Sequence, residues 1–151
     1  MAVTMSGERV LPADKATVWA RLNDAETLKA AIPGCESLEK LSDTELQAVA
    51  KVKIGPVSAR FKGKVNLTDM DPPNSYRISG QGEGGIAGFA KGGANVRLTD
   101  AEGGGTRLSY DVDAQVGGKI AQLGSRLIDS TAKKLADEFF TNFAKALSAS
   151  S

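Results

Sequence analysis

Apolar and polar residues repeat with two different periods along this chain, and the change of period divides it into three regions. From Gly118 to about Leu147, Ile120, Leu123, Leu127, Ile128, Thr131, Leu135, Phe139, Phe143 and Leu147 recur at three- and four-residue spacing, while Lys119, Arg126, Asp129, Lys133, Lys134, Asp137 and Glu138 fall mostly opposite. That spacing predicts one long helix with a continuous apolar face. At its rise per residue such a helix reaches roughly 45 Å, enough to cross the whole breadth of what it packs on. Gly117 and Gly118 let the chain turn sharply into it. At the other end, Ala2 to Leu11 reads as a weakly patterned strand stopped by Pro12. Asp14 is placed to cap a short helix, Lys15 to Asn23, that turns Val18, Trp19 and Leu22 to one side, and Asp24 to cap a second, Ala25 to Ile32, with Leu28, Ala31 and Ile32 as its apolar face. Pro33-Gly34 ends it. Ser148 to Ser151 reads as a frayed end.

From Cys35 to Val116 the period is two, and turn residues arrive at short intervals. Strands are predicted at Glu36 to Leu41, Glu45 to Ile54, Val57 to Asp69, Ser75 to Gly84, Gly88 to Thr99 and Thr106 to Gln115, joined by turns short enough for an antiparallel meander. Alternation assigns the faces. One collects Ala48, Ala50, Val52 and Ile54; Val57, Ala59, Phe61, Gly63, Val65 and Leu67; Tyr76, Ile78, Gly80, Gly82 and Gly84; Ala90, Gly92, Ala94, Val96 and Leu98; and Leu108, Tyr110, Val112, Ala114 and Val116. The other collects most of the lysines and arginines. A sheet apolar on one side only needs a partner for that side, and the C-terminal helix supplies it. The chain is therefore predicted to be one α+β domain over residues 1 to 151, a curved antiparallel sheet of about seven strands gripping a long C-terminal helix, with two short helices after the first strand.

The middle of the inner face is small. Where Ala59, Gly63, Gly80, Gly82, Gly84, Ala90, Gly92 and Ala94 point inward, either the helix comes very close or a hollow remains. If a hollow remains, Trp19, Leu28, Ile32, Phe61, Tyr76, Phe89 and Tyr110 would wall it, with Ile78, Gly80, Gly82 and Val112 beneath and Ile120, Leu123, Leu127 and Leu135 above.

Composition removes most chemistries. The 151 residues carry 19 basic and 18 acidic side chains, so no global field draws nucleic acid or anionic lipid. There is no histidine, which removes the commonest general base and most transition-metal sites. The single Cys35 excludes a disulfide framework, and without a basic-then-apolar leader the expectation is a reduced, cytoplasmic protein. Gly80-Gln81-Gly82-Glu83-Gly84-Gly85 mimics dinucleotide-binding spacing but leads from strand to strand, with no helix N-terminus to hold a pyrophosphate. Asp69 and Asp71 belong to a turn rather than a metal site. Lys51, Lys53, Arg60, Lys62 and Lys64 form a stripe on the outer face of one hairpin. It serves either as a solvated edge kept soluble by charge or as a docking patch for an acidic partner or anionic headgroups.

Several of these segments also carry a likeness. Ile32-Pro33-Gly34-Cys35-Glu36, Lys53-Ile54-Gly55-Pro56-Val57, Phe61-Lys62-Gly63, Gly88-Phe89-Ala90-Lys91-Gly92 and the run Gln115 to Phe140 resemble the carbon monoxide dehydrogenase G-subunit (CoxG) family, within the START-like helix-grip superfamily. The resemblance implies a non-catalytic accessory protein of molybdenum-containing carbon monoxide dehydrogenases and related hydroxylases. It further implies a role in placing that enzyme at the inner face of the cytoplasmic membrane and in carrying a quinone or other prenylated lipid as a non-covalent guest. Some members end in an apolar anchoring tail. This chain stops at Ser151 without one, so membrane contact is expected through the basic hairpin or the mouth of the cavity. Two other classes stay open: a cyclase-like enzyme, for which the interior offers only Tyr76 and Tyr110 as polar groups, and an assembly factor with no guest.

Overall fold

The computed structural model describes residues 1–149 of the chain. Strand β1 (Ala2–Leu11) leads into helices α1 (Lys15–Leu22) and α2 (Ala25–Ala31). Strands β2 (Cys35–Lys40), β3 (Glu45–Ile54), β4 (Val57–Asp71), β5 (Ser75–Glu83), β6 (Phe89–Asp100) and β7 (Thr106–Gly117) follow, and helix α3 (Ser125–Ala149) completes the fold. Both short helices start where a carboxylate satisfies a free backbone amide. Asp14 accepts from the Thr17 amide at 2.8 Å, and Asp24 from the Thr27 amide at 3.2 Å.

The seven strands form one antiparallel sheet in the order β1-β7-β6-β5-β4-β3-β2. The register keeps the apolar positions together: Val65 faces Gly80, Gly80 faces Gly92 and Gly92 faces Ala114, while one pair further on Leu67, Ile78, Ala94 and Val112 are in line. The parity assignment of the two faces therefore holds along the paired strands from β3 to β7, and the one register shift among them, between Thr68 and Asp71 at the β4–β5 turn, lies beyond the assigned positions.

The C-terminal helix is shorter than its sequence pattern predicts. Lys119–Leu123 is a turn of 3₁₀ helix, and Gly124 at φ 95° breaks the path before α3 begins. The 25 residues of α3 span about 37 Å. At the far end the helix continues through Ser148, in place of the expected fraying; Ser150 and Ser151 lie outside the described residues.

How α3 meets the sheet decides what the interior is. The sheet's two edges are β1 and β2, and α3 is fixed to both rims. On one side the Arg9 guanidinium pairs with Asp137 and stands 5.7 Å from the centre of the Phe140 ring. On the other, Asn142 Nδ2 donates to the Ala31 carbonyl at 3.1 Å, tying α3 to α2, which itself contacts β2. Apolar packing is concentrated at the two ends of the helix. Phe140, Phe143 and Leu147 join Leu11, Val18, Leu22, Leu98 and Leu108 in one core. Ile128 joins Val3, Ala87, Val116 and Ile120 in a second. Within the first of these cores, beside Ala136, Phe139 and Phe140, the helix and the sheet leave a trough.

Candidate functional site

The trough contains an apolar cavity of about 310 Å³ that opens to the surface. Met5, Ile78, Ala94, Val96, Leu108, Val112 and the two tyrosines Tyr76 and Tyr110 line it from the sheet centre and β1, and Leu38, Leu46, Ala48, Val65 and Leu67 from β2 to β4. Leu22, Leu28 and Ile32 close it from the short helices, and Ala136, Phe139 and Phe140 from α3. Among the described residues every lining side chain is hydrocarbon or thioether except the tyrosines, so the two phenols are the only side-chain hydrogen-bonding groups in that lining.

Each tyrosine is set by specific contacts. Tyr76 is 6% exposed and meets Trp19 edge to face with ring centres 5.2 Å apart. Burial pushes its phenol well above the ordinary tyrosine pKa, so it stays neutral at any physiological pH. Tyr110 stacks on Phe140 at 5.3 Å and lies over Gly7, where a β-carbon would come within 2.6 Å of its hydroxyl oxygen. Glycine at position 7 is thus what makes room for the ring.

A second hollow continues the first along the sheet floor. It is a shallow, open depression lined by Gly63, Lys64, Val65, Ile78, Gly80, Gln81, Gly82, Ala90, Lys91, Gly92, Gly93, Ala94, Val112 and Ala114, and it shares Val65, Ile78, Ala94 and Val112 with the main cavity. A β-carbon built on Gly82 would have no atom within 4 Å. Space is left at Gly82, whereas β-carbons on Gly63, Gly80 and Gly92 would meet the backbone of the neighbouring strand at 3.0, 3.1 and 2.2 Å, so those three glycines serve the curvature of the sheet. Close backbone packing, the alternative that the sequence left open, would have filled that position.

Of the residues expected to wall the interior, Leu28, Ile32, Tyr76, Ile78, Tyr110 and Val112 line the main cavity, and Gly80 and Gly82 the adjoining hollow. The other seven stand elsewhere. Trp19 backs Tyr76 without reaching the cavity. Phe61 lies against Gly84 and belongs to the second core, together with Ile120 and Leu123 from the 3₁₀ turn. Phe89 covers Gly117 at the rim and is 39% exposed. Leu127 packs over Gly55 at the β3–β4 turn, and Leu135 is only partly buried and off the cavity wall. Leu135 is off the wall because of the helical repeat. Leu135, Phe139, Phe143 and Leu147 are spaced by four, which carries successive positions about 40° around the axis each step. The buried seam runs through Ala136, Phe140, Phe143 and Leu147 instead, a four-three-four spacing that was legible in the sequence. Met5 and Leu38 come from the two edge strands, whose faces the alternation had left unassigned.

The basic stripe is present but less pure than expected. Lys51, Lys53, Arg60, Lys62 and Lys64 are all exposed on the outer face. Arg60 is spent on Glu36 at 2.7 Å, an ion pair that lowers the carboxyl pKa of Glu36, and Lys62 stands opposite Glu83 in the register. The β2 and β5 neighbours thus bring acids to a surface that looked free of them. Cys35 donates to the Ser37 carbonyl at 3.3 Å and its thiol pKa is raised by burial, the opposite of an activated nucleophile. Among the described residues no group of His, Cys, Asp and Glu side chains is arranged to hold a metal ion, and no helix is long and apolar enough to cross a membrane.

Known structures share this architecture. A conserved protein from Geobacillus kaustophilus is 32% identical with a TM-score of 0.92, over 98% of this chain and 97% of that one. A START superfamily protein from Mycobacterium smegmatis is 15% identical with a TM-score of 0.71, each chain covered to 99%. The Zhui aromatase/cyclase from Streptomyces sp. R1128 is 10% identical with a TM-score of 0.71, over 98% of this chain and 94% of that one, a likeness of fold alone. No curated protein matches the chain. The family model of the carbon monoxide dehydrogenase G subunit (CoxG) matches residues 7–148, which takes in both short helices, the cavity-bearing sheet and nearly all of α3. With a trough bridged by a rim-fixed helix and a match running through all of it, this chain belongs to the carbon monoxide dehydrogenase CoxG family.

Proposed function

We propose that this chain is a non-catalytic accessory protein that holds a quinone in the cavity beneath α3 and serves a molybdenum-containing carbon monoxide dehydrogenase-type enzyme at the cytoplasmic membrane. The observation that carries the reading is the cavity itself: about 310 Å³ walled by apolar side chains, with two phenols and an open extension over Gly80 and Gly82. Ligand sites for small apolar molecules have this make-up, a hydrocarbon wall with few polar groups to fix orientation. A quinone ring would lie against the wall that Tyr110, Phe139 and Phe140 form together, and a phenol hydroxyl can donate to one of its carbonyl oxygens. The prenyl tail would run along the floor over Gly80 and Gly82. Each buried methylene contributes about 0.8 kcal/mol, so a few isoprene units suffice for tight binding without any charge. Membership of the family supports the partner enzyme and the membrane location.

The non-catalytic assignment rests on the lining, which holds no carboxylate, amine, imidazole or thiol to move a proton near neutral pH. Turnover of a polyketide-like substrate that vanished in Tyr110→Phe would replace it with a cyclase reading. Organic extraction of the purified protein followed by mass spectrometry tests the carrier. A prenylated quinone, carried from the host or accepted on incubation, is the expected result. Protein that neither carries nor accepts one is a scaffold at most.

A further inference from the structure

We propose that the end of the molecule built from residues 53–58, 84–88 and 117–128 docks on anionic lipid bilayers, with Ile86 as the side chain that enters the acyl region. The proposal rests on the carrier reading and adds to it the surface where the carrier meets the membrane.

Ile86 is 91% exposed, the most exposed large apolar side chain among the described residues. The cause is local. It occupies the middle of the 3₁₀ turn Gly85–Ala87, whose next residue, Ala87, is 4% exposed and packed with Val116 and Ile120 in the second core. A turn this tight cannot bury both, so anchoring Ala87 drives Ile86 outward. A lone exposed apolar side chain is ordinary on a protein surface. Three features separate this one. First, the backbone of the turn is closed on itself: Gly84 N–H donates to Gly88 O at 2.8 Å, Ala87 N–H to Gly84 O at 3.2 Å and Gly88 N–H to Gly85 O at 3.2 Å. A loop that satisfies these amides internally can leave water at low cost, which an open loop cannot.

Second, the charge around it is of one sign. Residues 53–58, 84–88 and 117–128 contain Lys53, Lys119 and Arg126, all exposed, and no Asp or Glu; Glu83 and Asp129 mark the borders. The three segments form one surface because the turn holding Ile86 touches the Lys119–Leu123 turn, and Leu127 sits over Gly55. A protruding apolar apex on an end whose three segments carry Lys53, Lys119 and Arg126 and no acid matches the layering of an anionic bilayer, acyl chains beneath phosphate. A flat acidic protein surface would leave the apex unused. Third, the apex stands at the end of the glycine hollow. Gly82 and Ala90, the pair on the hollow floor, are followed by Glu83 and Phe89 and then by the loop itself. Docking here brings the hollow to the membrane.

Flotation of the intact chain with phosphatidylcholine vesicles, with and without phosphatidylglycerol, tests the assignment. Binding should require phosphatidylglycerol and weaken with salt. Ile86→Asp should cut it about tenfold or more, and Lys119→Glu and Arg126→Glu about fivefold each. Lys64→Glu on the outer face should change it less than about twofold. Ile86→Phe should bind at least as well as the wild type, and both Ile86 variants should melt with it, since the side chain packs on nothing. Wild-type protein that ignores phosphatidylglycerol, an Ile86→Asp protein that binds undiminished, or an equal loss from Lys64→Glu would each overturn the proposal. Quinone uptake from detergent micelles, measured in parallel, should be the same in Ile86→Asp and wild type. Its failure in both would count against the carrier reading and leave the docking surface standing.

Discussion

Neighbouring glycines in this sheet have opposite meanings, and only the side chains around them reveal which is which. Gly82 looks into open space, whereas a β-carbon on Gly84 would come within 2.6 Å of the Phe61 ring. Gly82→Val should therefore fold with unchanged or slightly higher stability, by up to about 1 kcal/mol, because glycine in a strand is unfavourable. It should also lose quinone capacity. Gly84→Val should lose about 1–3 kcal/mol through overpacking. Denaturant unfolding of the two variants checks the contrast, and equal behaviour would mean the hollow is filled in solution. Tyr76 gives a pH signature. Its folded pKa lies above that of the unfolded chain, so its contribution is complete below about pH 10 and is lost as the pH climbs further. The alkaline fall in stability should be shallower in Tyr76→Phe, measured by unfolding midpoints across that range. Parity alone gave the inward direction of both residues. It could not say that Gly82 faces a void and Gly84 a ring, because that depends on the far end of Phe61.

At the scale of elements, the sequence pattern was reliable wherever one interaction is local. The Asp14 and Asp24 caps, the two short helices and the pairing of all the hairpins follow from side chains within a few residues of each other. The apolar repeat before Gly124 was misleading for a physical reason. Ile120 and Leu123 are buried at helix-like spacing, yet they sit in a 3₁₀ turn whose exit needs a left-handed residue. Periodicity of burial does not distinguish a helix from a tight turn that lines the same core. Gly124→Ala places a β-carbon on a backbone at φ 95° and should destabilise by more than about 1 kcal/mol, although nothing lies within 4 Å of the added atom. A melting temperature equal to that of the wild type would show that the turn can continue as helix.

For the whole molecule, the decisive feature is that α3 spans the rims of a trough. A helix resting on the floor would leave no cavity. A helix held by Arg9 and Asp137 on one side and by Asn142 and Ala31 on the other leaves the cavity beside Ala136, Phe139 and Phe140. A guest taken up there should stabilise the fold by linkage. With free ligand at one hundred times its dissociation constant the gain is about 2.7 kcal/mol. Delipidated protein should accordingly unfold at a lower temperature than quinone-loaded protein, and the difference should shrink in Gly82→Leu. Identical melting curves with and without quinone would argue for an empty scaffold.

The sequence by itself determined the order of elements, the two faces of the sheet, the absence of acid–base and metal chemistry based on histidine, and the smallness of the inner floor. These follow from spacing, parity and composition, which a linear chain states directly. The tertiary structure alone decided that the floor is open at Gly82, that the aromatic wall is Tyr110, Phe139 and Phe140 instead of Phe61 and Phe89, and that acids from neighbouring strands reach the basic stripe. Each of these depends on the height of α3 above the sheet or on which strands lie side by side. Those distances are fixed by contacts at the rims, between residues as far apart in sequence as Arg9 and Asp137.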